Sequence, residues 1–95
     1  MSSEIAALDE LKGRCTFLKI EYPDTSVRMD PALDVFNKMM GRAVKRGLMK
    51  EEIDELAEEM YSLRDYLRLI RNKYPEVRKD FDPTIKVCDW LLATD

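Results

Sequence analysis

Histidine is absent from this chain of 95 residues. Its absence excludes Ser-His-Asp and Cys-His catalytic sets, helical zinc-protease sites and imidazole proton transfer at neutral pH. The glycines, Gly13, Gly41 and Gly47, stand apart from one another. Neither a phosphate-cradling Gly-Lys-Ser/Thr loop nor a dinucleotide-type glycine cluster can therefore be drawn. Cys15 and Cys88 are the only cysteines; far apart and unpatterned, they read as buried small hydrophobes rather than a disulfide framework. No run of 18 apolar residues occurs, and "MSSEIAALDE" lacks the basic-then-apolar order of a secretory leader. The expectation is an intracellular, soluble protein with no membrane partner.

What is present points to helices. Hydrophobic residues make up 45% and charged residues 37% of a chain with four prolines, a composition far from disordered or fibrous sequences. A chain of this size suits one domain, residues 1–95, with a modest core. The formal charge of -3 argues against a general nucleic-acid coat, which needs concentrated Lys and Arg. No internal repeat or interdomain linker stands out.

Residues 3–21 carry Leu8, Leu11, Cys15, Leu18 and Tyr22 at spacings of three and four, one side of a helix that Ser2 or Ser3 can cap. Pro23 pushes Tyr22 out of helical geometry and ends it. In "MDPALDVF", Asp30 suits a cap and Pro31 a first helical position, so a second helix is expected over 31–46, closed by Gly47. A third helix is expected over 50–74. Met49, Ile53, Leu56, Met60, Leu63, Leu67, Ile70 and Tyr74 form an unbroken heptad stripe there. Asp82 and Pro83 repeat the Asp-Pro start, giving a short last helix over 83–93, with 76–81 as loop or a further helical turn. The expected fold is an all-α, four-helix bundle-like domain. Three longer antiparallel helices run up-down-up and a short fourth closes the end. A homodimer across that stripe, or across the apolar last helix, is the competing architecture.

Two charge patterns constrain the packing. Lys38, Arg42 and Arg46 face Glu51, Glu55 and Glu59 across the Gly47 turn, and antiparallel pairing would relieve both like-charged rows. Arg64, Arg68 and Arg71, joined by Arg78 and Lys79, have no obvious internal partner unless Asp80 or Asp82 folds back. Arginine rows of this kind can dock a carboxylate or a phosphate.

The best enzymatic lead is "EEIDELAEE", whose carboxylates could face Mg²⁺. All-α nucleotide pyrophosphatases need a second acidic pair on the following helix, where this chain has basic residues. No cofactor or metal-ligand set is expected. The expected function is a non-enzymatic, adaptor or regulatory module that binds another protein. Its apolar surface would be Trp90, Leu91 and Leu92 on the greasy last helix, and its basic rim Arg64, Arg68, Arg71, Arg78 and Lys79. Nucleic-acid binding by the same cations is the alternative, followed by Mg²⁺-dependent hydrolysis at the acidic string.

Overall fold

Tyr-Pro-acid occurs twice, at Tyr22–Asp24 and Tyr74–Glu76, and each copy turns the chain between two helices. In the computed structural model, which describes residues 3–93, α1 spans Ser3–Glu21, α2 Ser26–Arg46, α3 Lys50–Lys73 and α4 Arg78–Ala93. Short 3-10 turns at Pro23–Thr25 and Pro75–Val77 join α1 to α2 and α3 to α4. Ser2, one of the two expected caps, lies outside the described residues. No strand occurs among them, so the all-α four-helix expectation holds.

Two helix starts differ from the sequence reading. Helix α2 begins at Ser26 and α4 at Arg78, which leaves Pro31 and Pro83 inside their helices. Asp30 and Asp82 are therefore not caps. Each instead reaches sideways, Asp30 to Lys19 and Asp82 to Arg71, across the bend. The Asp-Pro signal was overridden because the preceding turn has apolar surface to bury: Met29 and Phe81 are both fully enclosed. Helical extension toward Pro23 and Pro75 puts them there. Proline at N1 of each 3-10 turn starts the new segment with no donor missing. Residues 76–81, left open between loop and helix, are the rest of that turn and the first residues of α4.

The helices form a ring in which α1 packs on α2 and α4, and α3 on the same two, while the diagonal pairs do not meet among the described residues. Helix α4 thus runs alongside α1 and α3 as a full wall. It is not the end plug expected from a start at residue 83.

The two halves also correspond position by position. From Pro23 to Pro75 is an offset of 52, and at that offset Tyr22, Asp30, Pro31 and Val35 meet Tyr74, Asp82, Pro83 and Val87. The Lys19–Asp30 ion pair recurs as Arg71–Asp82. The buried Leu8, Leu11, Cys15, Met29, Ala32, Phe36 and Met39 recur as the buried Met60, Leu63, Leu67, Phe81, Thr84, Cys88 and Leu91. An internal repeat is therefore present, contrary to the sequence reading. Few residues are identical between the halves; what recurs is the burial pattern and the turn chemistry. Its consequence is an approximate twofold relation between the α1/α4 and α2/α3 interfaces.

The heptad stripe of α3 is core over its middle. Leu56, Met60, Leu63 and Leu67 are buried, whereas Met49, Ile53 and Tyr74 at its ends remain exposed. Burial also pushes the Cys15 and Cys88 thiols up to about 12, and both are free, as expected of inert packing residues.

At the Gly47 turn the two charge rows do meet, in a shifted register. Lys38 pairs with Glu55 at 2.8 Å, but Arg42 and Arg46 converge on Glu52, each at 2.8 Å, and Glu51 has no ion pair among the described residues. Glu59 instead takes Arg28. Glu52 also accepts the Met49 N–H at 2.9 Å, capping α3 in the manner of a capping box.

The Arg46 guanidinium first, and the Met49 N–H second, hold the Glu52 carboxyl down at about 2, from its ordinary 4.5. A carboxyl lowered in the folded state stabilises the fold above its unfolded value, and that stabilisation is lost as pH falls toward the folded one. Thermal melts are therefore expected to lose stability between about pH 4.5 and 2, and Glu52→Gln should flatten that segment of the profile. An acid profile unchanged by the substitution would exclude Glu52 as its source.

Candidate functional site: the groove between α1 and α4

A surface groove runs along the contact between α1 and α4, with small residues on its α1 wall and Pro83 on its α4 wall. Along α1 the groove is lined by Ser3, Ala7, Glu10, Gly13 and Phe17. Lys79, Pro83, Lys86 and Trp90 line it along α4, spaced four, three and four apart, which aligns them on one helix face. Trp90 and Phe17 stand near opposite ends, each 45% exposed. Gly13 sits mid-helix, and a Cβ built there would meet nothing within 4 Å, so the notch above it is open space. Thr84 lines the same stretch; its side chain is 1% exposed and its hydroxyl has no hydrogen-bond partner among the described residues.

The internal repeat supplies a comparison within the molecule. At the offset of 52, Ser3 and Trp90 correspond to Glu55 and Lys38, which form an ion pair. Ala7 and Asp80 correspond to Glu59 and Arg28, which form another. Gly13 corresponds to Asp65 and Thr84 to Ala32. One interface is thus bridged by long charged side chains across the helix pair. The other has a serine and an alanine at the matching α1 positions and a half-exposed indole opposite the serine.

Charge on α4 is segregated by face. All of its acids are engaged: Asp80 accepts the Tyr22 hydroxyl at 2.5 Å, Asp82 pairs with Arg71 at 3.0 Å, and Asp89 pairs with Arg64 at 3.0 Å and Arg68 at 3.4 Å. The hydrogen bond to Asp80 is the first cause of Tyr22 being pushed up to about 12. None of its basic residues, Arg78, Lys79 and Lys86, forms an ion pair with a described residue. On the α1 wall, Glu10 and Arg14 neutralise one another at 3.3 Å. Asp80 also lines the groove and keeps its charge beneath the neutral Tyr22 hydroxyl, so Lys79 and Lys86 leave the groove only slightly positive, on a chain whose net charge is -3.

Several expected site residues are placed differently. Arg64, Arg68 and Arg71 have the internal partners that the sequence reading missed, and they lie on the α3 side of α4, away from Trp90; Arg64 also sits 5.0 Å from the Tyr61 ring centroid. The expected basic rim therefore does not border the apolar patch. Leu91 is 6% exposed and belongs to the core, and Leu92 is half-buried against it. Of the expected set, only Trp90 and Lys79 line the groove. Gly13, Phe17, Pro83, Thr84 and Lys86 were missed. Lys86 could have been found, since it follows Lys79 by seven and precedes Trp90 by four.

The acidic string of α3 is divided among cations of α2, through Glu52, Glu55 and Glu59. No three Cys, Asp or Glu side chains converge as a cation site among the described residues. No helix of the described residues is long and apolar enough to cross a membrane. Comparison with protein-family models, curated proteins and solved structures finds no match for this chain.

Proposed function

We propose that this chain is a non-enzymatic helical module that binds another protein, and that the α1/α4 groove is its docking surface. One observation carries the reading: positions that α2 and α3 bridge with ion pairs hold small residues in α1, beside two half-exposed aromatic rings. An aromatic anchor at the edge of a notch with small-residue walls is the arrangement that concentrates binding energy at protein interfaces. The groove also has a polar rim, Lys79 and Lys86, as interface edges do. Part of the expected site is retained in this proposal and part is given up: Trp90 and Lys79 stay, while the arginine row of α3 serves the α3/α4 interface.

A photoreactive phenylalanine analogue replacing Phe17, whose ring already lines the groove, and separately replacing the corresponding Leu69, tests this in cells expressing the full chain. A discrete adduct from position 17, absent from position 69, is the expected result. Adducts at neither position, or equally at both, would sink the reading.

A further inference from the structure

We infer that the occupant of the α1/α4 groove is an acidic amphipathic helix contributed by a partner protein. The inference rests on the protein-binding reading above and adds the chemistry of what binds. Its shape follows from the walls. From Ser3 to Phe17 the groove runs for about 21 Å at 1.5 Å per residue, room for a helix of about 14 residues. The two places where α1 recedes, Gly13 and Ala6–Ala7, are about 10 Å apart along the helix, two turns at the same rise. A docked helix would set one apolar side chain in each, seven positions apart. The first would lie between Phe17 and Pro83, over the unpartnered Thr84 hydroxyl, and the second against Val87 and Trp90.

The charge follows from α4. Lys79 and Lys86 are also seven apart, line the groove, and have no ion pair among the described residues; of the acids of α4, Asp82 and Asp89 are paired with arginines of α3, which leaves Asp80 as the one α4 carboxylate in the groove. A helix with carboxylates seven apart beside its apolar ridge would satisfy both ammonium groups along one edge. A basic or neutral helix would leave them uncompensated at a rim where opposite charge steers binding. A strand is disfavoured, since the groove walls are helices and offer no row of backbone donors and acceptors.

Selection from a displayed library of helical peptides, with charge and apolar positions randomised, tests the chemistry directly against the intact chain. Recovered binders are expected to carry acids seven apart next to an apolar ridge, with affinity falling as salt is raised. Lys79→Glu combined with Lys86→Glu should weaken them about tenfold or more, the scale of two reversed rim pairs. Gly13→Gln should abolish binding while leaving the thermal melt at or above that of the parent, because a side chain there meets open space and replaces a helical glycine. Asp65→Gln, at the matching position, should bind as the parent does. Basic or neutral binders, binding that survives Gly13→Gln, or no binders would overturn the inference. So would a light-scattering mass of two chains that Gly13→Gln returns to one, which would make the occupant a second copy. Position-specific adducts at residue 17 together with failure of the acidic-helix selection would leave the docking surface standing and remove only this occupant.

Discussion

Phe36→Ala is expected to lower the unfolding free energy by about 3–5 kcal/mol, the range for removing a fully enclosed phenylalanine. Phe36 is 0% exposed on α2, and its surroundings follow from the antiparallel count away from the proline turn. Stepping back from Pro23 along α1 and forward along α2, the buried residues pair as Leu18 with Met29, Cys15 with Ala32, Leu11 with Phe36 and Leu8 with Met39. The same count in the other half pairs Leu63 with Cys88. Phe36 therefore shares its level with two leucines and a cysteine, and it is the largest side chain there. No neighbour on that level is large and flexible enough to fill the void. A chain of this length has roughly 5–14 kcal/mol in total, so the variant should be marginal or unfolded at 37 °C. Urea unfolding followed by far-ultraviolet circular dichroism measures the loss; a cost below about 1 kcal/mol would mean that the enclosure of Phe36 is wrong.

The second large effect concerns Gly47. Its φ of 83° and ψ of 164° fall in a region that residues with a Cβ rarely enter, at a cost of about 1–3 kcal/mol. A Cβ there would meet nothing within 4 Å, so the penalty of Gly47→Ala arises from backbone torsion alone. Gly41 separates the two contributions. It lies inside α2 with equally open space and no positive φ, and Gly41→Ala is expected to stabilise by about 0.5–1 kcal/mol through helix propensity. Opposite signs for the two substitutions in the same thermal or urea assay are the expected result. Equal signs would remove the torsional account of the turn.

Much of the architecture was readable from residue spacing, and the failures have identifiable physical causes. Apolar residues three and four apart marked α1 and the middle of α3. Pro23, Gly47 and Pro75 marked where the helices stop. Asp30–Pro31 and Asp82–Pro83 misled because a local start signal competes with burial of Met29 and Phe81, the residues directly before them, and burial won. That error shortened α4 and turned a wall of the ring into a cap. It also removed the placement by which Asp82 and Asp89 meet the arginine row of α3. Local spacing could not show which cations would find partners, because the partners come from another helix. The open groove was hidden for the same reason: Gly13 and Ala7 are unremarkable in α1 until set against Pro83 and Trp90 of α4.

Only residues 47–49 join the first hairpin to the second. Each hairpin uses the other as the lid for its apolar face, and the lid need not come from the same polypeptide. If those residues straightened into continuous helix, two molecules could exchange halves and bury the same surfaces between them, yielding an entwined dimer without any new contact. The glycine at the bend, with its φ of 83°, favours the folded-back hinge over that continuous helix, a role separate from its contribution to helix termination.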